Sequence, residues 1–321
     1  MNKLKNLLAV GAMVASVLSA RAESNPSQVT LDYAYYSPTG LVLKEKKFLE
    51  DDLSKEGIKV EWVFSQGSNQ SLEYLNSKSV DFGSTAGVAA FISLANGNPV
   101  RAVYVLSKPE WTALLVRKDS VIASIADLKG KKVAATRGTD PYVFLVRALD
   151  QNGLSSKDIE LVALQHPDGK NALLRGDVDA WAGLDPLMAQ AEVDSGAKFL
   201  YRNPEFNSYN VLNVREQFAQ EHPTLIVRVL KAYEKARQWA ISNPAEYKAL
   251  VCTSAKLNEP VAAKVLERTD LNSPLIGDPQ KKAISAAGEV LKKNGVIAAS
   301  VDVPKTVDEL IDQQFVNQAV K

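Results

Sequence analysis

Five short stretches rich in hydroxyls, small residues and free amides could act together: Ser37 to Gly40, Gly67 to Gln70, Ser84 to Ala86, Arg137 to Asp140 and Gly183 to Asp185. Each stands where a β-like run gives way to a helical pattern. A helix start leaves backbone N–H groups unpaired and carries a partial positive charge, so it draws an anion. Arg137 would add a full charge and a planar fork that matches an oxyanion. Capping alone explains any one of these turns, because Ser, Thr, Gly and Asp cap helices throughout α/β proteins, and an isolated arginine commonly pairs with a surface carboxylate. Five on one sheet edge favour a ligand. The set suits a small, permanently charged oxyanion such as a sulfonate, sulfate ester, nitrate or phosphonate, with Thr39, Gly67, Ser68, Asn69, Ser84, Thr85, Arg137, Gly138, Thr139 and Asp185 as candidate contacts and Gln66 beside them.

Aromatic residues stand near the same edge. Tyr35, Tyr36, Trp111, Tyr142 and Trp181 could cover an alkyl or aryl tail, although packing accounts for any one of them. His166, in Gln165-His166-Pro167-Asp168, reads as a solvated loop residue and His222 as a helix-start residue. Cys252 is the single cysteine and the two histidines are dispersed, so neither a zinc site nor a Cys-His nucleophilic pair is supported. No cofactor or metal is expected.

The elements that must position these residues alternate. Strand-like runs at Val29–Tyr35, Ile58–Phe64, Val80–Phe82 and Val100–Leu106 are separated by helical patterns, and a second set runs from Trp111 through Lys132–Thr136, Ile159–Leu164 and Val178–Trp181. Such alternation means a mixed, mostly parallel sheet with helical cover, whose ligands gather beyond the carboxyl ends of the strands. Asp140-Pro141 and Asp185-Pro186 both read as an N-cap followed by the first helical residue. Val80 to Tyr104 and Val178 to Tyr201 echo one another in supersecondary order, which suggests two related lobes. After Tyr209 to Val214 the chain turns helical. Two lobes follow: residues 23–110 with 212–321, and residues 111–211, joined by crossovers near Lys108–Trp111 and Asn207–Leu212 that would form a hinge.

Length and composition agree with two domains. At 321 residues, with 46% hydrophobic residues and 38 basic against 37 acidic side chains, the chain resembles neither a nucleic-acid binder nor a membrane-surface protein. Lys3 and Lys5, the apolar run Leu7–Leu18 and the Ala20-Arg21-Ala22 pattern read as an export signal cleaved near Ala22. That run is too short to span a membrane.

The SPTG turn at Ser37–Gly40, QGSNQSLEYL at Gln66–Leu75, VDFGST at Val80–Thr85, DLKGKKVA at Asp127–Ala134 and RGDVDAW at Arg175–Trp181 together resemble the periplasmic aliphatic-sulfonate binding proteins. These belong to a wider group of ABC-importer receptors for sulfonates, taurine, sulfate esters and nitrate. The resemblance covers nearly the whole mature chain. It implies a two-lobed periplasmic binding protein of the second structural type, monomeric, that closes on a sulfonate or sulfate ester and delivers it to an inner-membrane permease. It places the anion site on Gln66 to Gln70, Ser84-Thr85, Arg137 to Thr139 and Asp185. Arg137, Tyr36 with Pro38, and Pro141-Tyr142 depart from the family pattern, which leaves the cargo open. An exported enzyme on the same scaffold is the competing expectation, with Asp140, Asp185 and His166 as its only titratable candidates; a regulator's effector domain would need a DNA-binding segment that does not precede the first lobe.

Overall fold

The computed structural model describes residues 25–320, and the export signal read in residues 1–22 lies outside them. The first half of the chain forms β1 (Gln28–Tyr33), α1 (Pro38–Lys46), α2 (Phe48–Leu53), β2 (Lys59–Phe64), α3 (Ser68–Asn76), β3 (Phe82–Ala86), α4 (Gly87–Ala95) and β4 (Val100–Pro109). The chain then crosses to β5 (Thr112–Val116), β6 (Lys132–Ala135), α5 (Asp140–Gln151), β7 (Glu160–Ala163), α6 (His166–Arg175), β8 (Ala180–Leu184), α7 (Leu187–Ser195) and β9 (Lys198–Tyr201). It returns through β10 (Asn210–Arg215) to a helical tail: α8 (Glu216–Glu221), α9 (Pro223–Ser242), α10 (Pro244–Ala255), α11 (Glu259–Glu267), the short β11 (Thr269–Asp270), α12 (Asp278–Lys293), α13 (Val303–Leu310) and α14 (Val316–Ala319).

Two sheets result, ordered β11-β4-β10-β3-β1-β2 and β7-β6-β8-β5-β9. Their cores match. β1 pairs in parallel with β2 and β3, as β6 does with β7 and β8. In each sheet an inner strand runs against both its neighbours, β10 between β3 and β4, and β5 between β8 and β9, and the short edge strand β11 also runs against β4. That reversed strand comes in both cases from the crossover: β5 enters the second lobe and β10 re-enters the first. The echo between Val80–Tyr104 and Val178–Tyr201 is therefore real as topology, β3-α4-β4 against β8-α7-β9. Central strands carry small and apolar residues on both faces because helices cover both; β3, β5 and β8 are buried at every position.

The longer helices form as their sequences direct, with apolar residues at helical spacing. In α9, Leu225, Ile226, Val229, Leu230, Tyr233 and Ala236 share the buried face, and Pro223 fits the first helical turn. Lobe boundaries are not sealed off from the tail. α11 packs against α7, and α12 lies across both α4 and α5, where Lys293 reaches Asp150 at 2.8 Å and Asn294 Nδ2 donates to the same carboxylate at 3.2 Å.

One carboxylate joins both crossovers. Asp140 Oδ2 accepts from the Trp111 indole N–H at 2.7 Å and from the Ser208 N–H at 3.0 Å, while Oδ1 accepts from Ser208 Oγ at 2.8 Å. Trp111 lies on the way out to β5 and Ser208 on the way back to β10. Asp140 is fully buried, and burial raises its pKa, an effect that the bonds from Trp111 and Ser208 oppose.

Two helix starts differ from expectation. Asp140 is the first residue of α5 with Thr139 in the capping position, yet the Thr139 hydroxyl donates to the Thr136 carbonyl at 2.6 Å. Asp185 stands two residues before α7 and still caps it, Oδ1 accepting from the Ala189 N–H at 2.9 Å. For Asp140 the longer-range partners Trp111 and Ser208 take the carboxylate that local capping would use.

Candidate functional site

A cavity of ≈ 370 Å³ lies between the lobes. The first lobe supplies Tyr35, Tyr36, Phe64, Ser65 and Gln66, at the carboxyl ends of β1 and β2. The second lobe faces them with His166, Pro167, Leu184, Asp185 and Gln190 from the starts of α6 and α7. Ala255, Lys256 and Leu257, from the turn between α10 and α11, complete the wall. The cavity thus sits where open α/β sheets bind ligands, outside the strand ends.

Beneath the first-lobe wall runs a buried polar network. Asp32 Oδ1 accepts from the Ser84 N–H at 2.7 Å and from Ser84 Oγ at 3.0 Å, and its Oδ2 accepts from Ser65 Oγ at 2.8 Å. Tyr36 donates its hydroxyl to the Ser84 carbonyl at 2.8 Å and meets Trp111 edge to face, with ring centroids 5.7 Å apart. Burial raises the Asp32 pKa to about 6, and the Ser84 amide and the serine hydroxyls limit the rise. A carboxyl whose folded pKa exceeds its unfolded value of 3.8 holds its proton more tightly when folded, so its contribution to stability is complete below that value and is lost as pH rises towards 6. In Asp32→Asn this loss should vanish: between pH 4 and pH 7 the wild type should forfeit up to about 3 kcal/mol more than the variant. Urea midpoints at four pH values check this, and parallel curves for the two proteins would rule Asp32 out as the responsible group.

Of the residues read from sequence, Tyr35, Tyr36, Gln66 and Asp185 reach the cavity wall. Gly67 and Asn69 stand against the second lobe. A Cβ on Gly67 would lie 2.8 Å from His166 Nε2, and one on Gly138 would lie 3.7 Å from the Asn69 Cβ. Ser84 and Thr85 are not in a turn. They belong to β3, paired with Leu212 and Val211 of β10, and their hydroxyls are engaged: Ser84 on Asp32, Thr85 between the Ala86 carbonyl and Asn213 Nδ2. Ser68 accepts from the Ala86 N–H at 3.0 Å, and Thr39 is buried in α1 with its hydroxyl 3.4 Å from the Leu106 carbonyl.

Arg137 also differs. It is exposed, holds its guanidinium 5.4 Å above the buried Tyr142 ring and does not line the cavity. Trp181 is a core residue of the second lobe, packed with Leu115, Leu173 and Met188, because its strand position faces α6 and not the strand ends. Thr139 and Trp111 serve the helix start and the crossover.

His166 corrects the sequence reading most. It is fully buried, as the first residue of α6. Thr136 donates its hydroxyl to the Leu164 carbonyl at 2.7 Å, so the 3.1 Å contact with His166 Nδ1 must use an N–H of the ring. Nε2 is then a bare acceptor, and it has no partner. Burial lowers the His166 pKa to about 3, which keeps the ring neutral.

Asp185 is nearly as buried, and burial raises its pKa to about 7 against the opposing pull of Arg268. Arg268 NH1 lies 3.5 Å from Oδ1, and its other terminal nitrogen bonds Glu192. Asp185 Oδ2 has no partner. Phe64, Ser65, Gln190, Lys256 and Leu257 were missed from sequence. Ser65 and Phe64 end a recognised strand, so the strand-end rule could have found them; the turn at Lys256 carries no local signal. Among the described residues no three His, Cys, Asp or Glu side chains are grouped to hold a metal ion.

Two α/β lobes of matching topology, linked by paired crossovers and enclosing a cavity at the strand ends, define a two-lobed periplasmic binding protein fold. The chain belongs to the NMT1/THI5-like family, whose pattern matches residues 44–247. It is 31% identical to an aliphatic sulfonates-binding protein of Bacillus subtilis, over 88% of this chain and 84% of that one. The periplasmic aliphatic sulphonate binding protein SsuA of Escherichia coli superimposes with a TM-score of 0.76 at 27% identity, covering 90% of this chain and 93% of that structure. The alkanesulfonate-binding protein SsuA of Xanthomonas axonopodis pv. citri, bound to MOPS, gives a TM-score of 0.81 at 23% identity over 88% and 98% of the two chains.

Proposed function

We propose that this protein is the exported solute-binding component of an ABC importer, capturing a sulfonate or sulfate ester between its lobes and handing it to an inner-membrane permease. The carrying observation is the ≈ 370 Å³ cavity walled by both lobes, in a chain whose relatives are sulfonate-binding proteins. Residues 23–110 with 212–321 form one lobe in this reading and residues 111–211 the other, in a monomer that resides in the periplasm after cleavage near Ala22. No helix among the described residues is long and apolar enough to cross a membrane.

The site is the cavity itself, with Tyr36, Gln66 and Asp185 on its wall and Gly67, Asn69 and Gly138 where the lobes meet. Lys256, exposed at the wall and without an ion-pair partner among the described residues, and the side-chain amides of Gln66 and Gln190 supply donors for the anion. The protein acts by binding and release. Cys252 is half-buried on α10 and absent from the cavity wall, which leaves no thiol nucleophile there.

A ligand that binds only the folded state raises stability by mass action, about 2.7 kcal/mol at a hundred times its Kd. Alkanesulfonates or alkyl sulfate esters at millimolar concentration should therefore raise Tm by several degrees, and titration calorimetry should show one site. If neither class shifts Tm while nitrate does, the protein is a receptor for a smaller oxyanion. Mass spectrometry of the incubated ligand should show it unchanged; turnover would make the protein an enzyme.

A further inference from the structure

The helical tail reaches into the second lobe with one buried cation. Arg268 ends α11, and its backbone belongs with the first lobe: its carbonyl accepts from the Glu110 N–H at 2.8 Å, and the next two residues, Thr269 and Asp270, pair as β11 with Pro109 and Lys108 of β4. Its side chain, 7% exposed, goes the other way. NH1 lies 3.5 Å from Asp185 Oδ1, NH2 donates to Glu192 Oε2, and the guanidinium stands 5.1 Å from the Phe199 ring centroid. These three partners stand after β8, on α7 and on β9. The other charges nearby are mostly engaged. Arg202, also 5.1 Å from the Phe199 ring, makes two bonds of 2.8 Å to Glu110 and attracts Glu192 only at longer range, and Glu267 is turned to Lys264 at 3.1 Å. Arg268 NH1 and Asp185 Oδ2 have no hydrogen-bond partner. The Asp185 contact is therefore one of charge, and its strength depends on how closely α7 approaches α11.

α7 matters to the cargo because Pro186, Leu187 and Gln190, at its start, wall the cavity. α11 packs along it and is fastened at the far end as well, Asn258 Nδ2 donating to Asp194 Oδ1 at 2.9 Å. The helix is about 14 Å long. A turn about the crossover at Glu110 therefore moves the Asn258 end away from α7 most and the Arg268 end least. We propose that Arg268 is the positioning residue that sets the angle between the lobes: a buried guanidinium beside the pivot draws α7 onto α11 and biases the cavity towards its closed form. This holds whatever anion the cavity takes. Unlike the Lys293–Asp150 contact, whose lysine is 69% exposed, the Arg268 contact is shielded from salt. Removing the cation leaves two carboxylates without their partner, which loosens α7 from the tail.

Small-angle scattering of the unliganded mature chain tests this. Arg268→Gln, with an unchanged far-ultraviolet circular dichroism spectrum, should show a larger radius of gyration than the wild type, and Arg268→Lys, which can hold one carboxylate but lacks the fork for two, should fall between them. Stopped-flow tryptophan fluorescence with butane-1-sulfonate should show release about tenfold faster in Arg268→Gln at a nearly unchanged association rate. General loss of packing would slow association as well. Should Arg268→Gln lose its fold, Glu192→Gln, at a side chain 25% exposed, carries the same comparison with a smaller increase. A wild-type radius of gyration in the folded variant overturns the inference. If butane-1-sulfonate gives no signal with any of these proteins, the cargo reading suffers and the scattering alone decides the role of Arg268.

Discussion

Asp140→Ala should cost about 3 kcal/mol of folding stability, a fall in Tm of roughly 6 to 10 °C for a chain of this size. The side chain accepts three hydrogen bonds, one from Trp111 and two from Ser208, and all of these groups are buried. Removing the acceptor leaves an indole N–H, an amide N–H and a hydroxyl without partners, each at about 1–3 kcal/mol. Relief from holding a carboxylate in a dry site offsets part of that, since its pKa is already raised. Asp140→Asn keeps an oxygen for the two N–H donors and can reverse the bond to Ser208 Oγ, so it should lose less than half as much. Chemical denaturation of the three proteins decides the matter. A loss under 1 kcal/mol in the alanine variant would mean that the crossovers are held by packing instead.

Gly67→Val should weaken ligand binding by about tenfold or more while leaving the unliganded protein nearly as stable as before. Its φ of −177° is extended backbone that valine adopts readily, so the substitution introduces no strain of its own. The difficulty is steric and lies across the cleft. A Cβ would stand 2.8 Å from His166 Nε2, 3.0 Å from its Cδ2 and 2.9 Å from Asn69 Oδ1. The His166 ring cannot swing aside freely, because Thr136 holds its far nitrogen. Overpacking of this kind costs about 1–3 kcal/mol, and opening the lobes relieves it. The His166 contact burdens only the closed state, the state that grips ligand, while the Asn69 amide, two residues away on the same lobe, must turn aside in either state. Titration with an alkanesulfonate gives the affinity, and small-angle scattering should show a larger radius of gyration for the variant in ligand. Wild-type affinity would place the bound conformation at a wider separation of the lobes.

The order of elements could be read from local pattern because alternating strands and helices each leave a periodic trace. The five helix starts could not be ranked the same way. Ser84 and Thr85 look like a turn until β10, more than a hundred residues later, pairs with them and extends β3. Asp32, the acceptor that occupies Ser84, sits in an alternating strand and gives no sign of its role. Arg137 has the right chemistry at the right helix start, yet Tyr142, five residues on, offers it an aromatic face. His166 precedes a proline after a strand, the pattern of a loop, yet is buried with its ring edge against a glycine of the opposite lobe. Lys256 belongs to a helical hairpin whose place over the cavity depends on how the tail wraps both lobes. Site residues brought together by such distant contacts leave no mark on their own neighbourhoods.

The position of α12 bears on how the two lobes can part. It rests on α4 of one lobe and α5 of the other, with Lys293 and Asn294 at its end fastened to Asp150. Any swing about the crossovers must therefore shear this outer helix over α5 or pull its end away from Asp150. The resistance to opening then resides partly in a salt-sensitive seam on the solvent side, far from the cavity wall, so ionic strength should tune the rate of cargo release through this seam as well as through the charges that hold the cargo.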